Sequence, residues 1–215
     1  MDEIVIRLAR AIASWPRLWI LSYLAQHGEV TPTRLASKLR MPLNTLSAHL
    51  RILSSTGLIL GRRSGGQCGY ALISPYREQT LSGDMSRWLK GLLAEKATKE
   101  GHSGLLEVRN RSARAAHPSL HVTLFEAATG FTDLRRLQIL RYLQSHPDVD
   151  RAHLVKELRM SPQAVGRHTA KLQRRGFITV QSKPDGRVCC RLASEYKTPV
   201  HRRMLQIVQK TWAQG

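Results

Sequence analysis

The chain has 215 residues, 42% of them hydrophobic, enough to bury a core in one large or two small domains. Its formal net charge of +19 and pI near 11.0 favour a polyanionic partner, nucleic acid before an anionic membrane surface. No apolar run reaches the about 18 residues a membrane helix needs, and the opening "MDEIVIRLARAIASW" sets two acids before a stretch broken by Arg7 and Arg10, unlike a secretory signal.

The elements follow in order. Apolar periodicity predicts a helix over 3–14 and a second over 16–27, with Pro16 suited to a first helical turn. Thr31-Pro32 offers an N-cap and an opening proline for a short helix, "TRLASKLR". Met41-Pro42 interrupts the chain, and a longer helix runs to about Ser55, where Gly57 suits its end. "LILGRRSGGQCGYALI" reads as a β-hairpin turning at Gly65-Gly66. An amphipathic helix over 79–96 follows, carrying Met85, Trp88, Leu89 and Leu92.

The same order then recurs. Residues 17–59 align without a gap on 136–178, and sixteen positions are identical, among them Arg17/Arg136, Leu39-Arg40-Met41/Leu158-Arg159-Met160, His49/His168 and Gly57/Gly176. "FITVQSKPDGRVCCRLA" is the second hairpin, turning at Pro184-Asp185-Gly186, and "RLASEYK" answers "ALISPYR" with a one-residue shift. A helix over 199–214 carries Met204, Leu205, Val208 and Trp212. An internal duplication is the expected origin: one unit over 1–97, a polar, basic linker over 98–118, and a second unit over 119–215.

Helix, short helix, tight break, longer helix and hairpin make up a winged helix-turn-helix. The expected fold class is mainly α with small β-hairpin wings (α+β), in two tandem winged helix-turn-helix domains. Leu35, Leu39, Leu46, Leu50 and Leu53 are spaced to bury one face of the two central helices. Asn44, Ser47, Ala48 and Arg51 then form the opposite stripe, as a recognition helix would present it to a major groove.

"PRLWILSYLAQHGEVTPTRLASKLRMPLNTLSAHLRILSSTGLI" resembles the ArsR type of winged-helix regulator, whose pattern runs R-x-x-I-L-x-x-L and then T-[VL]-S-x-H-L-x-x-L-x-x-x-G-L-[IV]. The second unit matches more loosely, with "QAVGRHTAKLQRRGFI" in place of "NTLSAHLRILSSTGLI". The resemblance implies double-stranded DNA as partner. Because such proteins act as homodimers through their first and last helices, it also implies a dimer written on one chain. A monomer with pseudo-two-fold symmetry is therefore expected, although Trp88 and Trp212, read as exposed on the terminal helices, leave a homodimer possible. A DNA-binding protein of this kind is expected to be cytoplasmic and nucleoid-associated.

The candidate DNA-binding set is Asn44, Thr45, Ser47, Ala48, Arg51, Arg62 and Arg63 in the first unit. In the second it is Gln163, Arg167, Lys171, Arg174, Lys183 and Arg187. Basic wing tips suit phosphates; Asn44 and Gln163 suit adenine edges, and Arg51 and Arg167 suit guanine. No catalytic set, phosphate-cradling loop or cofactor motif stands at useful spacing. "RLASKLR" and "HLVKELR" lack the cysteines that the family's metal sensors carry there, so no metal is expected. His49 and His168 read as packing residues. Cys68, Cys189 and Cys190 read as reduced thiols in strands, with a thiol switch in the wings as the alternative.

The reading is a sequence-specific, non-enzymatic transcriptional regulator, a repressor by promoter occlusion. Its two non-identical heads suit an imperfectly palindromic operator. The alternatives are a plasmid or mobile-element partition or replication factor, and a tandem winged-helix protein-interaction subunit, which would not need so large a positive charge.

Overall fold

A computed structural model describes residues 1–64, 66–76, 79–100 and 119–213. In chain order its elements are α1 (Asp2–Ile12), α2 (Trp15–His27), α3 (Pro32–Leu39), α4 (Leu43–Ser55), β1 (Leu60–Ser64), β2 (Gln67–Ala71) and α5 (Leu81–Glu100). There follow α6 (Leu120–Thr129), α7 (Leu134–Ser145), β3 (Val149–Asp150), α8 (Arg151–Glu157), α9 (Pro162–Arg174), β4 (Ile178–Ser182), β5 (Val188–Leu192) and α10 (Pro199–Ala213). Helix α5 takes in the first three residues of the expected linker; its remainder, 101–118, and Gly65 of the first hairpin turn lie outside the described residues.

The fold class is as read: helices with small antiparallel hairpins. Strand β1 pairs β2 with Leu60 opposite Ala71, and an isolated bridge ties Val30 to Tyr70. Strand β4 pairs β5 with Ile178 opposite Leu192, and β3 pairs the other edge of β5, Val149 opposite Cys190.

Local chemistry sets the element boundaries. The Thr31 hydroxyl accepts from the Arg34 amide at 3.4 Å, Asp150 from that of His153 at 2.7 Å, and Ser161 from that of Ala164 at 3.2 Å. Each satisfies an amide that the first helical turn leaves unbonded. The Leu-Arg-Met triplets end α3 and α8. Arg40 and Arg159 take the left-handed conformation, φ 48° and 50°, and the Met41 and Met160 amides donate back to Ala36 and Val155 carbonyls at 3.0 and 3.2 Å. That is the closure of a Schellman-type C-cap.

The chain packs as two compact units, one of residues 11–125 and one of residues 1–10 with 126–215. These divisions fall within α1 and α6, not at the ends of the sequence repeats. In the second unit Trp212 Nε1 donates to Asp2 Oδ1 at 3.2 Å, Arg141 stands 3.8 Å from the same carboxylate, and Arg10 Nε donates to the Thr132 carbonyl at 3.1 Å. In the first unit the Ser22 hydroxyl and His121 Nε2 meet at 2.7 Å, buried, and Trp15 stacks on Phe125 at 5.1 Å. Each unit thus includes opening-helix residues of the other repeat. One expectation is corrected: Trp212 is buried, and Trp88 is half-buried. An indole whose N–H has a carboxylate partner is a packing residue.

The second unit also holds a charged cluster. Glu126 accepts from Arg175 at 2.7 Å and Lys197 at 2.6 Å. Burial alone would raise its carboxyl, but the Lys197 hydrogen bond and the charges of Lys197 and Arg175 hold it below the usual range. His201, fully buried beside Phe177 with its Nδ1 2.8 Å from the Thr198 hydroxyl, is pushed down to about 4. Burial is the main cause, reinforced by Lys197 and Arg175 and opposed by Glu126.

The folded chain therefore keeps His201 neutral. As pH falls below its ordinary 6.5, the unfolded chain takes up a proton that the folded chain refuses until about 4. Stability should drop by up to about 1.4 kcal/mol per pH unit across that window. Urea unfolding at pH 7 and pH 5 will measure this loss, and His201→Leu should reduce it. Glycine gives a second prediction. Gly166 lies inside α9 with nothing within 4 Å of an added Cβ, so Gly166→Ala should stabilise by about 1 kcal/mol. Gly176, at φ 72° with Lys197 Cβ 2.7 Å from an added Cβ, should lose more than that as Ala; thermal melts will show the opposite signs.

Candidate nucleic-acid interface

Helix α4 is amphipathic in the sense expected. Leu46, Leu50 and Leu53 are buried, whereas Asn44, Thr45, Ser47, Ala48 and Arg51 are all exposed. Pro42 precedes the helix and gives no side-chain cap; part of that role falls to the stripe itself. Asn44 Oδ1 accepts from the Thr45 amide at 2.8 Å, and the Ser47 hydroxyl donates to the Leu43 carbonyl at 2.7 Å. The Asn44 carbonyl oxygen is thus engaged locally, and a bidentate approach to adenine requires that side chain to turn. Exposed Leu43 and Ile52 flank the stripe. Polarity at helical spacing would bury both, since it takes no account of what packs against each face.

Helix α9 repeats the design with different side chains. Ala164, Val165, His168, Thr169 and Leu172 are buried, and Gln163, Arg167 and Arg174 are exposed. Lys171 departs from the stripe: it is half-buried, and burial first, then the charges of Arg175, Arg174 and Arg136, lower its pKa. Thr169 stands where the first repeat has Leu50. It is fully buried, its hydroxyl donating to the Val165 carbonyl at 2.7 Å, so the substitution leaves no unsatisfied hydroxyl in the core.

The wings differ more. Arg62 and Arg63 are exposed on β1, opposite Gly69 and Cys68, and among the described residues neither has an acidic partner. In the second wing Lys183 bonds Asp148, and Arg187 Nε donates to Asp185 Oδ2 at 2.6 Å. The two acids follow positions visible in the sequence, Asp185 in the turn and Asp148 matching Glu29, yet their reach to the wing cations is a tertiary fact.

The remaining reactive side chains are packed. His168 is buried with Nδ1 3.7 Å from Asp133 Oδ1; burial lowers its pKa, Asp133 opposes that, and Arg136 and Arg167 add to it. His49 is half-buried and likewise lowered, by burial and then by Arg17. Cys189 and Cys190 are buried in β5, and burial raises the Cys190 thiol, which disfavours the reactive thiolate. Cys68 is half-buried. Among the described residues no group of three or more His, Cys, Asp or Glu side chains stands where a metal ion could be held, and no helix is long and apolar enough to cross a membrane.

Comparison with known families agrees with this geometry. Residues 17–62 match a helix-turn-helix domain, and residues 129–188 match the MarR family. No curated protein matches the chain. The first match runs from α2 into β1 and the second from the end of α6 to the start of β5. Each therefore includes one recognition helix and reaches its wing. The chain carries two winged helix-turn-helix domains in tandem, the DNA-binding equipment of a transcription regulator.

Proposed function

We propose that the chain is a sequence-specific repressor that occupies a promoter through two non-identical reading heads. The observation that carries this reading is the pair of exposed polar stripes on α4 and α9, each backed by a buried apolar stripe and followed by a hairpin. Burial on one side holds the other side rigid, and preorganised donors at helix spacing are what base-edge recognition requires. Repression by occlusion needs only binding, and a basic chain supplies the phosphate attraction for it.

The origin we favour is duplication of an ArsR-type unit, with the product working as a monomer. Fine details repeat between the halves in support of this. Arg17 Nε donates to the Ala11 carbonyl at 2.7 Å and Arg136 Nε to that of Gly130 at 3.2 Å. Tyr23 stacks on His27, and Tyr142 on His146, with centroids 3.9 and 4.2 Å apart. A homodimer must present identical heads; here Ala48 and Arg167 occupy matching exposed positions, so the preferred operator is an imperfect palindrome.

Selection from a random duplex pool, followed by binding at two salt concentrations, tests the reading. The expected result is a two-part asymmetric site and an affinity that falls steeply with salt. Asn44→Ala with Arg51→Ala should relax specificity in one half-site only. Gln163→Ala with Arg167→Ala should relax it in the other, at about 1–3 kcal/mol of discrimination per lost bidentate contact. A flat salt response would sink the DNA reading; a symmetric preferred site would sink the two-head reading.

A further inference from the structure

We infer that the first wing lends its tip charge to phosphate binding, and that the tip of the second is electrostatically silenced by its own acids, Asp148 and Asp185. This rests on the DNA-binding reading above and assigns its affinity within the chain.

The first hairpin carries Arg62 and Arg63, both exposed, and no acid anywhere along its strands. The nearest acid by repeat position, Glu29, lies over Gly69, where an added Cβ would collide with it, and it pairs with neither arginine. Gly69 makes room for that placement: with a hydrogen in place of a side chain on β2, the carboxylate folds onto the strand.

The second hairpin is built the other way. Asp148, at the repeat position of Glu29, has φ 62° and reaches Lys183. Asp185 sits in the turn, where its Oδ1 accepts the Arg187 amide at 3.0 Å and its Oδ2 the guanidinium at 2.6 Å. The turn is closed by Lys183 N–H donating to the Arg187 carbonyl at 2.8 Å, so both cations spring from one rigid pair. The Asp148 hydrogen bond raises the Lys183 pKa, and the Arg187 hydrogen bond holds the Asp185 carboxyl below its usual range.

Exposed ion pairs contribute little to stability, and a phosphate could replace either carboxylate. It would not remove them. Two carboxylates would remain within a few ångströms of the approaching backbone, and counterion release depends on the net positive charge presented. The tip of the wing thus keeps cations that have no surplus to offer, whereas Arg191, at the base of β5, donates to the Thr179 hydroxyl at 3.0 Å and not to an acid. The second unit then draws its charge from cations away from the wing tip, Arg167 and Arg174 on α9 and Arg191 on β5 among them, all exposed.

The experiment compares salt-dependent binding to the selected duplex for the wild-type chain, Asp148→Asn with Asp185→Asn, and Arg62→Ala with Arg63→Ala. Freeing the second wing should steepen the slope of log affinity against log salt by up to about 2 and tighten binding about ten-fold or more at low salt. The arginine pair should flatten the slope by about 2. Asparagine keeps the size and accepting oxygen of aspartate. Asp148→Asn alone leaves the turn untouched, so a slope change of up to about 1 reads out even if the double variant melts early. An Asp148→Asn, Asp185→Asn chain that melts normally and binds with wild-type slope overturns the inference, as does an unchanged slope for Arg62→Ala with Arg63→Ala. A wild-type chain without salt-dependent binding fails earlier, at the DNA reading itself.

Discussion

Leu46, Leu50 and Leu53 are each at most 1% exposed, and this stripe sets the rotation of α4 about its own axis. A helix with three leucines sealed on one side cannot turn without exposing them, at about 1.5–3 kcal/mol for each side chain returned to water. Asn44, Ser47, Ala48 and Arg51 are therefore held outward as a consequence of packing. Val165, Thr169 and Leu172 do the same for α9. Direction as well as rotation is set locally. Arg40 and Arg159 accept a left-handed backbone, which an L-residue adopts at a cost of about 1–2 kcal/mol, and the reversed chain then starts the next helix within three residues.

Around that constraint, two kinds of position can be told apart. Those that close turns, cap helices or stack within a unit keep the same geometry in both halves: the arginine-to-carbonyl bonds from Arg17 and Arg136, the Tyr-His stacks, the positive φ at Gly57 and Gly176. Those facing outward differ between the halves, and so does some of the interior. Ser22 meets His121 in one unit, while Arg141 stands by Asp2 in the other. Among the described residues, only the second carries a cluster like that of Glu126, Arg175 and Lys197. A buried polar contact tolerates replacement when both partners change together, since the cost lies in leaving one unsatisfied.

Electrostatics sharpens the contrast. A chain of net charge +19 invites the assumption that each arginine and lysine near the helix-turn-helix serves the nucleic acid. In the second wing Lys183 and Arg187 have carboxylate partners, and Lys171 is half withdrawn among arginines. Charge supplies affinity only where it is left uncompensated at the surface.

Much of this was legible in the sequence, for identifiable reasons. Apolar period, N-cap residues, the prolines at Pro16 and Pro32 and the glycines after each recognition helix act over a few residues, so they located the helices, hairpins and outward stripes. What lay beyond reach depends on residues far apart in the chain. The sequence resemblance between halves runs over 1–97 and 119–215, whereas the compact units divide within α1 and α6. Trp212 looked like free apolar surface until Asp2, at the opposite end of the chain, proved to hold its indole. The sequence by itself determined which residues face outward on the two helices, through local periodicity; only the tertiary structure decided which charges are paired, because partners such as Asp148 and Lys183 meet only once the chain has folded.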